Sequence, residues 1–134
     1  MNRRGRILII DDAEDWCEEL TEILQREGFH AASAPTITKA LELLDDAIYH
    51  VLVVDIRLNE ADQTNEDGIN LLKELDKRGL SEATKVIMLS AYGTKERTRT
   101  AFKDYQVADF LYKEEFKKTQ FLESVTNVFA EKVA

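Results

Sequence analysis

The sequence predicts an α/β protein, a parallel sheet covered by helices on both faces, and three observations predict it. Short, wholly apolar runs recur along the chain, amphipathic stretches of helical period separate them, and acidic, hydroxyl or basic residues stand where the runs end. Residues 7–10, Ile-Leu-Ile-Ile, are apolar at every position, as a strand buried on both faces requires. In residues 13–28 the apolar Trp16, Leu20, Ile23 and Leu24 share one helical face, and Glu14, Asp15, Glu18, Glu19 and Glu22 take the other. Gly28 is the stop signal for that helix. Residues 30–34 are a weaker strand candidate. Residues 36–46 repeat the helical pattern with Ile37, Leu41 and Leu44. Residues 51–54 form the third apolar run, followed by a polar and mostly acidic stretch, 59–67, that is long for a β-to-α loop. Ile69, Leu72 and Leu75 give a helix over 68–79, and residues 86–89 give the fourth strand. Residues 94–106 are polar, with Ala101, Phe102 and Tyr105 as their apolar contribution to a helix. A strand over 107–111 and a helix over 114–133, striped by Phe121, Val125, Val128 and Phe129, complete five β-α units. Right-handed crossovers and this unit count suit a three-layer (βα)5 sandwich of flavodoxin-like strand order 2-1-3-4-5.

Composition narrows the class further. The 134 residues fit one domain, 1–134, and 44% hydrophobic with 33% charged residues excludes disordered and collagen-like chains. A formal charge of −8 argues against nucleic acid or an anionic membrane as the main partner and favours proteins or cations. Cys17 is the single cysteine, which excludes an intrachain disulfide and fits a reducing, cytoplasmic setting. Asp11 and Asp12 interrupt the first apolar run after four residues, so it is no secretory signal core, and no run approaches the roughly 20 residues that span a bilayer.

Ligands bind an open parallel sheet beyond the carboxyl ends of its strands. There the chain places Asp11 and Asp12 after the first strand, Asp55 after the third, Ser90 and Ala91 after the fourth and Lys113 after the fifth. Singly, each has an ordinary explanation. Asp12 is a good N-cap for the following helix, Asp55 can end a strand and open a turn, Ser90 can cap a turn, and Lys113 can be a solvated lysine. Their conjunction on one edge points to chemistry. Three neighbouring carboxylates repel unless a cation compensates them, and an all-oxygen set suits Mg²⁺, which keeps waters and accepts a phosphate oxygen. A carboxylate can be the nucleophile of phosphoryl transfer, with Lys113 neutralising charge and Ser90 donating a hydrogen bond.

These residues resemble the receiver domains of bacterial two-component response regulators. The resemblance rests on Ile-Leu-Ile-Ile-Asp11-Asp12, Val-Leu-Val-Val-Asp55, Val-Ile-Met-Leu-Ser90-Ala91 and Ala108-Asp109-Phe110-Leu111-Tyr112-Lys113, in the family's order and near its spacing. It implies the 2-1-3-4-5 strand order again. It also implies that Asp55 accepts a phosphoryl group from a sensor histidine kinase or phosphotransferase, with Mg²⁺ held by Asp11, Asp12, Asp55 and the backbone carbonyl of Arg57. Lys113, Ser90 and Ala91 would meet the phosphoryl group, and Phe110 would follow Ser90 inward to switch the surface that an effector protein or output domain reads. A regulator of this kind catalyses its own phosphorylation and dephosphorylation and is not an enzyme with external turnover.

Three positions depart from the family's pattern. Glu114 stands where a proline usually follows the lysine, the stretch from Asp55 to Gly68 covers thirteen positions, and it lacks a proline near Leu58. Arg57 and Tyr92 are large where the family tunes loss of the phosphate, so they are expected to hinder the attacking water and prolong the phosphorylated state. The 59–67 loop is expected to be a surface loop without a role of its own. Two rival readings compete with this one. An aspartyl-phosphate phosphatase of the haloacid dehalogenase type needs a second acid two positions beyond its nucleophile on the first strand, where Ala13 stands; a receiver-like interaction module would not use phosphate at all. No helix-turn-helix or catalytic segment follows Val133, so output is expected through another protein rather than through DNA. Trp16 is expected to pack in the core, close enough to Asp12 to report metal binding by fluorescence, and Cys17 to be a small buried hydrophobe. His30 and His50 are expected to be solvated or internally satisfied rather than ligands.

Overall fold

A computed structural model describes residues 5–56, 66–90 and 107–133. The strands are β1 (Arg6–Ile10), β2 (His30–Ala34), β3 (Val51–Ile56), β4 (Lys85–Ser90) and β5 (Asp109–Tyr112). They form one sheet of order β2-β1-β3-β4-β5, with every described pair parallel. The helices are α1 (Glu14–Arg26), α2 (Ile37–Asp46), α3 (Glu66–Lys77) and α4 (Lys118–Val133). The helix expected over 94–106 lies outside the described residues.

Strand alternation sorts the core into two layers. Ile7, Ile9, Val51, Val53, Ile87 and Leu89 face a cluster with Leu20 and Leu24 of α1 and Phe121 and Val125 of α4. Leu8, Ile10, Leu52, Val54, Val86 and Met88 face the other side, with Ala40 and Leu44 of α2 and Leu71 and Leu75 of α3. This two-sided burial is why the runs are apolar at successive positions instead of alternate ones. No described helix is long and apolar enough to cross a membrane.

Turns at the amino edge of the sheet return the chain tightly. At the end of α1, Gly28 has φ 91°, its N–H donates to the Gln25 carbonyl, and the Phe29 N–H donates to the Leu24 carbonyl. Gly79 (φ 73°) and Leu80 end α3 in the same way, on the carbonyls of Asp76 and Leu75. Both are Schellman closures, which need a left-handed residue after the helix.

Several boundaries differ from the sequence reading: β3 continues through Asp55 to Ile56, and α3 starts at Glu66, inside the expected 59–67 loop. The fifth strand runs over Asp109–Tyr112 instead of 107–111. The last helix starts at Lys118, because Lys113–Glu115 form a 3-10 turn and Phe116 then adopts extended φ/ψ of −62° and 129°. That break turns the Phe116 ring onto Trp16 and Phe121, so aromatic burial outweighs continuation of the helix through Glu114.

Candidate functional site

The parallel register brings the strand ends level. Ile10 pairs with Val54, so Asp11, the first residue past β1, stands beside Asp55, which lies inside β3 opposite Leu89 instead of after the strand; Ile56 pairs with Ser90, which pairs in turn with Tyr112. Lys113 follows directly. Its Nζ lies 3.0 Å from Asp11 Oδ2 and 3.2 Å from Asp55 Oδ1. The side chains of Asp11, Asp55 and Lys113 keep 1%, 3% and 14% of their exposure, so this three-member ion pair sits largely out of water. Asp12 is exposed at the rim, and one oxygen from each of Asp11, Asp12 and Asp55 lies within 4.8 Å of the others.

Burial and the neighbouring Asp11 charge push the Asp55 carboxyl up from 3.8 to about 6, although Lys113 pulls it down. One ammonium does not offset two buried carboxylates and their lost hydration. A further cation at this edge would supply the missing charge. Three carboxylates within reach of one point are the hard oxygen set that Mg²⁺ takes, so the residues fit the metal that the sequence suggests.

Asp12 is not the N-cap of α1, as its sequence position suggested. Ala13 occupies that position with no side-chain cap bond, and its N–H donates to Asp11 Oδ1 at 2.8 Å. The helix start is therefore tied to the buried carboxylate, and Asp12 is left at the rim. Cys17 is buried as expected, with its thiol donating to the Asp11 carbonyl at 3.1 Å, and burial pushes that thiol up, away from reactivity. Phe110 is partly buried on β5 against the α2/α3 core layer. The Ser90 backbone ends β4 beside the site, whereas Arg57, Ala91, Tyr92 and most of the 59–67 loop lie outside the described residues. His50 is satisfied internally: its Nδ1 accepts the Arg6 N–H at 3.0 Å.

Sequence reading placed Trp16 in the core and near Asp12, but not against Lys113. The indole packs partly buried against the α1/α4 layer, and Lys113 Nζ lies 5.0 Å from its ring centroid. The signal was available in principle: a helix starting at Ala13 puts residue 16 in its first turn, on the apolar face and next to the strand end that carries Asp11. The hydrogen bond that Ser124 Oγ of α4 donates to Asp109 Oδ2 of β5, at 2.5 Å, had no such signal, because it depends on how α4 crosses the sheet.

A five-stranded parallel sheet of this order, with three carboxylates and a lysine converging at its carboxyl edge, defines a receiver-type signalling fold. The chain belongs to the response regulator receiver domain family, whose pattern it matches over residues 7–126. Transcriptional regulatory protein CpxR of Klebsiella pneumoniae is 37% identical over 90 residues, 67% of this chain and 35% of that protein. Regulatory protein AtoC of Escherichia coli is 32% identical over 114 residues, covering 82% of this chain and 23% of its own length. The chain thus spans about a third or less of these regulators. Among solved structures, NtrX from Brucella abortus superposes with a TM-score of 0.80 at 26% identity, over 96% of this chain and 27% of that one. The receiver domain of Francisella response regulator 1452 superposes with 0.76 at 26% identity, over 95% of this chain and 98% of that one.

Proposed function

We propose that this chain is the phosphoacceptor module of a two-component system, with Asp55 as the acceptor. The observation that carries the reading is the Lys113 ammonium shared by the buried carboxylates of Asp11 and Asp55, with Asp12 completing a three-acid set. An Asp55 carboxylate oxygen attacks the phosphorus of a phosphohistidine in line; the P–N bond breaks, its electron pair returns to the imidazole, and a carboxyl-phosphate anhydride forms. Asp11, Asp12 and Asp55 would hold Mg²⁺, with the Arg57 backbone carbonyl as a further ligand. Bound there, the ion supplies charge neutralisation at the phosphoryl oxygens.

The remaining roles belong to the chain. Lys113 moves from pairing with Asp55 to pairing with a phosphoryl oxygen, which keeps the charge balanced as the acceptor is converted. Ser90 donates its hydroxyl to a second oxygen, and the Ala91 N–H is a further donor to the phosphoryl group. Phe110 follows Ser90 inward, biasing a two-state surface around β5 and α4 that an effector or output domain reads. Arg57 and Tyr92 retard the water that would hydrolyse the anhydride. The donor is a sensor histidine kinase or a phosphotransferase, and the setting is cytoplasmic.

Intact-protein mass after incubation with acetyl phosphate tests this directly. Wild type is expected to gain one phosphoryl group only when Mg²⁺ is present, and Asp55→Asn none. No adduct on wild type, together with no Mg²⁺ binding, would replace this reading with an interaction module that works without phosphate.

A further inference from the structure

The Lys113 ammonium has a third neighbour that neither takes up a proton nor ligates a metal. Its Nζ sits 3.0 Å from Asp11 Oδ2, 3.2 Å from Asp55 Oδ1 and 5.0 Å from the Trp16 ring centroid, within cation–π range. The indole is held from two sides. On its own helix, the Ala13 N–H bonded to Asp11 Oδ1 ties the first turn of α1 to the acid pocket. From α4, Phe121, 1% exposed in the core, meets Phe116 at 5.7 Å, and Phe116 meets the Trp16 ring nearly perpendicularly at 5.2 Å and 84°. A chain of three aromatic rings thus runs from the core to the ammonium.

We infer that Trp16 is a positioning residue for Lys113, holding its ammonium over the acceptor pocket; the inference rests on the phosphoacceptor reading for its kinetic consequence. Two carboxylates alone define the ammonium's place only while both are charged. When Asp55 becomes an acyl phosphate, the pairing with its carboxylate is lost and the ammonium must shift to the new oxygens. A π face restrains the lysine stem through that exchange without competing for Mg²⁺ or for the proton. Hard cations select oxygen donors, so the ring is invisible to the metal.

The test is the initial rate of phosphorylation by acetyl phosphate at saturating Mg²⁺ for Trp16→Phe and Trp16→Leu, each made in the wild type and in Lys113→Met. Leucine fills much of the volume without a π face; phenylalanine keeps the face. Trp16→Leu is expected to slow the reaction roughly three- to tenfold and Trp16→Phe to recover most of that rate. In the Lys113→Met background the leucine effect is expected to vanish, because the two residues act through one interaction. Equal losses for leucine and phenylalanine, or a leucine loss of the same size without Lys113, would overturn the inference. A second measurement does not depend on phosphorylation: reductive methylation of Lys113, followed by peptide mass, is expected to quicken several-fold in Trp16→Leu and to stay near wild type in Trp16→Phe. If wild type takes no phosphoryl group, the functional reading falls while the methylation rates still decide the role of Trp16; unchanged rates in Trp16→Leu would reject it.

Discussion

The two edges of the sheet solve opposite problems. At the amino edge the loops entering β2, β3 and β4 are closed by neutral hydrogen bonds. Thr84 Oγ1 donates to the Tyr49 carbonyl at 2.7 Å, the His30 N–H to the Gly5 carbonyl at 2.8 Å, and His50 Nδ1 accepts from Arg6. At the carboxyl edge Asp11 directly follows β1, Asp55 is the penultimate residue of β3 and Lys113 directly follows β5, charges held where water is scarce. One edge contributes stability and the other stores electrostatic stress. The difference teaches that polar burial has no fixed sign: paired neutral groups stabilise, whereas two carboxylates against one ammonium raise the free energy until another cation or a chemical change relieves them.

Asp55→Asn tests the stressed edge most sharply, because it should stabilise the metal-free protein. The folded-state acid titrates at about 6 against 3.8 for an ordinary one, so between those values the folded protein keeps a proton that the unfolded chain has released. Stability therefore falls as pH rises through that interval, and the penalty is complete above about 6. Asparagine lacks the penalty and the slope. Urea unfolding in EDTA should show Asp55→Asn more stable than wild type by on the order of 2 kcal/mol at pH 7, converging with it near pH 4. A destabilised asparagine variant at pH 7 would mean that the Lys113 pair outweighs the desolvation of Asp55.

The opposite sign is expected at the amino edge. Thr84 is buried, and Thr84→Val preserves its shape while removing the donor to Tyr49. The Tyr49 carbonyl then loses that bond in a dry environment, which costs about 1–2 kcal/mol. The same urea measurement should show the loss at both pH 4 and pH 7, since no charge is involved, and Mg²⁺-dependent phosphorylation should keep its wild-type rate.

The legibility of the two edges in the sequence differs for the same physical reason. Apolar runs and helical stripes expose the sheet and its order of use, because burial on both faces dictates residue type at every position from Ile7 to Ile10 and from Val51 to Val54. The acids and lysine were visible as interruptions of those runs. From its place before the helix Asp12 reads equally well as a cap or as a metal ligand; the bond from Ala13 N–H to Asp11 removes the cap reading and leaves Asp12 in the acid cluster. The Phe116 break was invisible, since Glu114 and Glu115 are good helix formers and the reason to stop lies on Trp16, about a hundred residues away in sequence. Long-range side-chain packing of this kind leaves no periodic trace.

Gly79→Ala gives the smallest effect and isolates backbone geometry at the stabilising edge. No heavy atom lies within 4 Å of where the new Cβ would stand, so packing is not at issue. What remains is φ 73°, in the left-handed region that disfavours a side chain, at the Schellman closure ending α3. The expected loss is about 1 kcal/mol in urea unfolding, with no change in Mg²⁺ dependence or in the phosphoryl adduct. Strain at the end of α3 reaches the loop into β4 at the amino edge, whereas the acid pocket lies at the far ends of the same strands. A change in phosphorylation rate in this variant would show that the two edges are coupled through β4, and would end their treatment as independent regions.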